Sequence, residues 1–93
     1  MGPQQIVRRR VVVRGRVQGV GFRYGLVRRA ESAGVGGWVR NRPDGTVEAA
    51  LEGEVGAVDG VVDWCRHGPR GARVDDVSVV DESPEGDARF VVR

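Results

Sequence analysis

The residues best suited to chemistry in this chain are three glycines and an arginine. Gly15, Gly19 and Gly21 fall within the run Gly15-Arg16-Val17-Gln18-Gly19-Val20-Gly21-Phe22-Arg23. Glycine lets backbone N–H groups turn inward and approach a ligand with no Cβ in the way. Phe22 opens a helical pattern, and the first N–H groups of a helix have no partner within it. Together with the helix dipole those groups suit an anion. No Ser, Thr, Asp or Asn stands at the helix start to cap them, and the first turn carries Arg23, with no acid before Glu31. A cation there is unfavourable by roughly 0.3–1 kcal/mol. A bound dianion removes both oddities, because it takes the N–H groups and pairs with the guanidinium fork of Arg23. On spacing alone, a plain loop followed by a solvated Arg23 fits equally well. The run lacks the Gly-Lys-Ser/Thr of a P-loop and the third glycine of a dinucleotide fingerprint, which disfavours a nucleotide.

Other reactive side chains are few. His67 lies at the far end of a second helical pattern and reads as a surface residue near a helix C-terminus. Cys65 falls on an apolar stripe and reads as core. One His and one Cys make no zinc constellation. Asp75-Asp76 and Asp81-Glu82 are neighbours along a strand, so their side chains diverge and read as solvated charges. No metal and no cofactor is expected.

The elements that must position the loop follow from the hydrophobic period. Ile6 to Arg14 is Val-rich and predicts a strand, with Gly15 to Gly21 as a loop. Phe22, Leu26, Val27, Ala30 and Ala33 recur at helical spacing up to Gly34. Gly37 to Asn41 predicts a strand, with Val39 and Asn41 on one face and Trp38, Arg40 and Arg42 on the other. Pro43-Asp44-Gly45 has hairpin-turn chemistry, and Asn41 just before it reads, from the residues alone, as part of that turn. Thr46 to Glu52 alternates, with Val47, Ala49 and Leu51 on one face and Thr46, Glu48, Ala50 and Glu52 on the other. Val55, Val58, Val62 and Cys65 mark a second helix. Val74 to Val80 is a strand with Val77 and Val79 inward, and Ala88 to Arg93 a short terminal strand. The order predicts an α+β, ferredoxin-like (split βαβ) sandwich: an antiparallel sheet of four to five strands with two helices on one face. That fold hosts many functions. Trp38 and Trp64 read as packing residues. Gly25, Gly56 and Gly60 inside the helices each cost roughly 0.8–1 kcal/mol against Ala.

At 93 residues the chain has room for one domain. Residues 1–93 are expected to form it, with residues 1–5 a disordered tail. The longest apolar run is three residues, as in Val11-Val12-Val13, far short of the ~20 that span a bilayer. A lone cysteine suits a reducing, cytoplasmic setting. All 15 basic residues are Arg, and they are unevenly placed. Residues 1–42 hold ten Arg against one acid, and residues 43–93 hold five Arg against twelve acids. A basic first half suggests an anionic partner. Arg8, Arg9, Arg10 and Arg14 read as a solvated strand face able to steer one.

The loop run resembles the signature of the acylphosphatase family. A second block matches as well: Gly37-Trp38-Val39-Arg40-Asn41, then Asp44-Gly45-Thr46-Val47-Glu48 and Glu52-Gly53. A weaker third is Gly68-Pro69 with Ala72-Arg73-Val74. The resemblance runs from about Val7 to Val92 and implies the same ferredoxin-like fold. It also implies hydrolysis of the carboxyl-phosphate bond of acyl phosphates to a carboxylate and inorganic phosphate. By resemblance, Arg23 and Asn41 are the catalytic residues: Arg23 holds the phosphoryl group, and Asn41 orients the attacking water. The backbone N–H groups of Gln18, Gly19, Val20, Gly21, Phe22 and Arg23 form the rest of the phosphate cradle. The implied partner is a small-molecule acyl phosphate, met by a monomer with no nucleic acid and no membrane. Two other readings remain open: a nucleic-acid-binding module, for which five aromatics and no aromatic RNA-binding run are poor support, and a phosphate-ligand module without turnover.

Overall fold

Periodicity becomes architecture in the order expected. The structure, a computed structural model, describes residues 5–93. It contains β1 (Ile6–Arg16), α1 (Phe22–Ala33), β2 (Gly36–Asn41), β3 (Val47–Glu54), α2 (Val55–Cys65), β4 (Arg73–Glu82) and β5 (Phe90–Val92). They build one five-stranded sheet in the order β4-β1-β3-β2-β5. Both helices pack on one face. Phe22, Leu26 and Ala30 of α1 and Val58, Val61, Val62 and Cys65 of α2 close over Val11, Val13, Val39, Ala49 and Leu51 of the sheet. This is the ferredoxin-like arrangement. Of the expected tail, residues 1–4 lie outside the described residues, and the carbonyl of Gln5 accepts the Val55 N–H at 2.9 Å.

Four details depart from expectation, each for a physical reason. The first is strand direction. β4-β1, β1-β3 and β3-β2 are antiparallel, but β5 runs parallel to β2, so the sheet is mixed. After β4 the chain crosses the open face through residues 83–89 and enters the far edge from the same end as β2.

Second, β3 is buried on both faces. Thr46, Glu48, Ala50 and Glu52 are as inaccessible as the core-facing residues. The crossing segment meets Glu52, whose carboxylate accepts the backbone N–H groups of Glu85 and Gly86, each at 2.7 Å, while Arg10 and Arg40 bind Glu48.

Third, the arginines of β1 do not form a solvated face. Arg8 is 3% exposed and meets Glu52 at 3.0 Å, Glu82 at 3.3 Å, and Glu85 and Asp87 at 2.9 Å. Arg10 bridges Glu48 at 3.0 Å and Glu82 at 2.8 Å. Arg9, on the helix side, reaches Asp59 and Asp81. Only Arg14 of the four remains exposed without an ion pair among the described residues. Arg8, Arg9, Arg10 and Arg40 of the basic first half are thus paired with acids of the second half. Burial disfavours charge on Glu52, but the Glu85 N–H, the Arg8 guanidinium and the Gly86 N–H outweigh it and hold its carboxyl below the usual range.

Fourth, Val79 is 37% exposed although it alternates with Val77. β4 is an edge strand, and its outer half lies beyond the shelter of the helices.

Trp38 and Trp64 pack as expected, in different settings. Trp38 lies on the open face with the guanidinium carbons of Arg93, Arg10 and Arg40 at 4.6, 5.3 and 5.9 Å from its ring centre. Trp64 meets Phe22 edge-to-face at 5.2 Å. It also explains Gly25. A Cβ at that position would stand 2.9 Å from the Trp64 ring, so the helix cost of this glycine is offset by close approach of α2.

Candidate active site

The loop between β1 and α1 is short and anchored at both ends. Val17 and Phe22 are each 1% exposed, and between them the backbone bulges outward. Gly19 and Gly21 have positive φ, 74° and 80°, which other residues adopt at a cost of about 1–2 kcal/mol. Gly21 is the N-cap of α1 and has no side chain to bond the first N–H groups. No acid stands in the first turn. The start of α1 is therefore an exposed set of donors beside an exposed guanidinium, Arg23.

The end of β2 comes to the same place. A cavity of about 390 Å³ is lined by Gly19, Gly21, Phe22, Arg23 and Asn41, with a further apolar wall of Val17, Tyr24, Val27 and Val92. The fold thus brings Arg23 and Asn41 to one cavity although they belong to different elements. Gln18 and Val20 belong to the same loop but do not line the cavity. Val20 packs toward the core.

Asn41 does not serve the turn that follows it. Asp44 does: its Oδ1 accepts the Thr46 N–H at 3.0 Å and the Thr46 hydroxyl at 2.6 Å. Those two bonds, the hydroxyl's first, hold the Asp44 carboxyl below its ordinary range. Asn41 Oδ1 is buried and, among the described residues, has no hydrogen-bond partner. A buried orphan acceptor costs about 1–3 kcal/mol and calls for a reason. Asn41 also lines the cavity beside Arg23, which places its side-chain amide where a small polar partner such as water could be bound.

The Gln18 side chain has a role that the sequence did not signal. Its Nε2 donates to the carbonyls of Arg42 at 2.8 Å and Thr46 at 2.9 Å, joining the loop to the β2–β3 hairpin. Partners 24 and 28 positions away leave no local pattern to read. The apolar wall of Tyr24, Val27 and Val92 went unread for the same reason, since Val92 arrives from the opposite end of the chain.

Elsewhere, Cys65 is buried and burial pushes its thiol up to about 12, so it remains protonated. His67 is exposed beyond the end of α2. No group of three or more His, Cys, Asp or Glu is arranged to hold a metal ion among the described residues. Nor is any of their helices long and apolar enough to cross a membrane.

The family model for acylphosphatase matches residues 9–92. The chain belongs to the acylphosphatase family. An acylphosphatase of Rubrobacter xylanophilus is 58% identical over 91 residues, covering 97% of this chain and 83% of that one. The crystal structure of an acylphosphatase from Bacillus subtilis superposes with a TM-score of 0.91 at 41% identity, covering 94% of this chain and 98% of that one. An acylphosphatase structure from Coxiella burnetii gives 0.93 at 33% identity, with each chain covered in full. Family membership agrees with the fold described above.

Proposed function

We propose that this chain hydrolyses acyl phosphates to a carboxylate and inorganic phosphate, with Arg23 and Asn41 as the catalytic residues. The observation that carries the reading is the shared cavity: an uncapped helix start with Arg23 on one side, and on the other the buried, unpartnered Oδ1 of Asn41. The phosphoryl oxygens bind the N–H groups of the loop and the first turn, between about Gln18 and Arg23, and the Arg23 guanidinium. Preorganised donors of this kind stabilise charge during transfer without reorganising. Asn41 Oδ1 accepts a hydrogen from water and aims the water oxygen at phosphorus. The new P–O bond forms opposite the bridging oxygen. The P–O bond to the acyl group breaks, and the carboxylate leaves with the electron pair. A carboxylate is a weak base and needs no general acid. The water's proton passes to a phosphoryl oxygen, since the cavity lining offers no side-chain base.

The reading extends to one domain over residues 1–93, acting as a cytoplasmic monomer. Its support is the single sheet and the lone buried Cys65. A nucleic-acid-binding role draws little from the structure, because Arg8, Arg9 and Arg10 of β1 are paired with carboxylates and only Arg14 of that cluster is left exposed.

Hydrolysis of benzoyl phosphate is the test. Turnover is expected, and it is expected to survive EDTA. Asn41→Ala should lower kcat by ~10²–10³ while inorganic phosphate still competes at near-unchanged concentration. Near-wild-type kcat in that variant would remove Asn41 from the mechanism.

A further inference from the structure

The geometry points to Gln18 as a positioning residue that sets Asn41 against the phosphate cradle. This rests on the reading of Asn41 given above and adds a residue to it. Three observations carry it. Gln18 lies inside the cradle loop, next to the fully anchored Val17, so its backbone is fixed on the cradle side. Its amide spends both hydrogens on the hairpin, one on the Arg42 carbonyl and one on the Thr46 carbonyl. Arg42 is the residue directly after Asn41, so the clamp grips the chain one peptide from the water-binding side chain.

A fourth observation separates positioning from turn building. The hairpin closes without Gln18. The Arg42 N–H donates to the Thr46 carbonyl at 2.9 Å, the Gly45 N–H donates to the Arg42 carbonyl at 3.1 Å, and Asp44 binds Thr46. Each of the two carbonyls therefore already has a partner, and Gln18 takes the second lone pair of each. What the amide adds is a two-point tie between loop and hairpin. Two bonds from one planar amide fix rotation as well as distance. Along this route the phosphorus held by the loop and the water held by Asn41 keep their separation. In-line attack needs the reacting atoms about 3–3.5 Å apart, and an error of 1 Å can cost ~10²-fold.

A double-mutant cycle on benzoyl phosphate hydrolysis tests this, with inorganic phosphate inhibition as a second readout. Gln18→Ala should lower kcat about 10- to 100-fold and leave the phosphate inhibition constant within about twofold, because the cradle and Arg23 are untouched. In an Asn41→Ala background the same change should lower kcat less than about twofold, since there is no longer a side chain to position. Gln18→Met keeps the length and removes the donors, and it carries the same test should the alanine variant fail to fold. Equal loss of kcat in both backgrounds would overturn the inference, as would weakened phosphate inhibition with kcat unchanged. Full activity in Asn41→Ala alone would strike the underlying reading of Asn41 first, and is told apart by that single variant.

Discussion

The two helices of this molecule begin in opposite ways. α2 starts on Glu54, whose carboxylate folds back to accept the N–H groups of Gly56 and Ala57, both at 3.0 Å. α1 starts on Gly21, which offers no side-chain acceptor, and places Arg23 in the first turn. The first pattern satisfies the helix from within and complements its dipole. The second leaves donors unsatisfied and adds a like charge. A fold that caps one helix with an acid and leaves the other bare and basic supports the proposal that the bare start takes an anion from outside. The arginines repeat the contrast. Arg8 is surrounded by four carboxylates on the open face, whereas Arg23 has no ion pair among the described residues.

The contrast can be broken most severely at Arg23. Arg23→Gln keeps hydrogen-bonding capacity but removes the charge and the fork. Turnover of benzoyl phosphate should fall by about 10³-fold, near 4 kcal/mol of transition-state stabilisation, and inorganic phosphate should no longer compete at concentrations effective on the wild type. A variant that still binds phosphate normally would mean that the N–H groups alone make the site. The next largest effect comes from giving α1 the start of α2. Gly21→Asp supplies a carboxylate that can take the open N–H groups and repel the phosphoryl group. kcat/KM should fall about 10²-fold, while thermal stability moves by less than about 1 kcal/mol, since the new cap offsets the strain of a positive φ. Unchanged kinetics would show that the first N–H groups do not touch substrate. The smallest effect sharpens the comparison from the other side. Glu54→Ala should lower stability by about 1 kcal/mol in urea titration and leave kcat within about twofold. A larger kinetic effect would tie α2 to the site.

Much of this was legible in the chain. The order of elements followed from the switch between a period of two and a period near four. The proposal of an anion site came from what was missing at Phe22 and what was present at Arg23, where a plain loop fitted the spacing equally well. The role proposed for Asn41 came only from family resemblance, because Asn before Pro43-Asp44-Gly45 has an ordinary role in turns. The structure hands that role to Asp44 instead. Three features had no local signal. Gln18 binds carbonyls, which every residue type offers, so no sequence pattern marks its partners. Arg8 and Glu52 carry the side chains of a solvated face, and only the return of residues 83–89 buries them. The parallel entry of β5 depends on that same return, and alternation along a strand carries no information about direction.

The placement of β5 has a consequence for how the protein is made. The cradle, residues 15–23, leaves the ribosome well before Val92, which stands in the wall of the same cavity. Glu52 and Arg8 likewise emerge long before Glu85, Gly86 and Asp87, the groups that neutralise or bond them. A nascent chain therefore exposes a half-built sheet with unmatched charges until β5 has emerged. Closure of the sheet edge and completion of the cavity are then one event, and both wait for β5 to clear the ribosome.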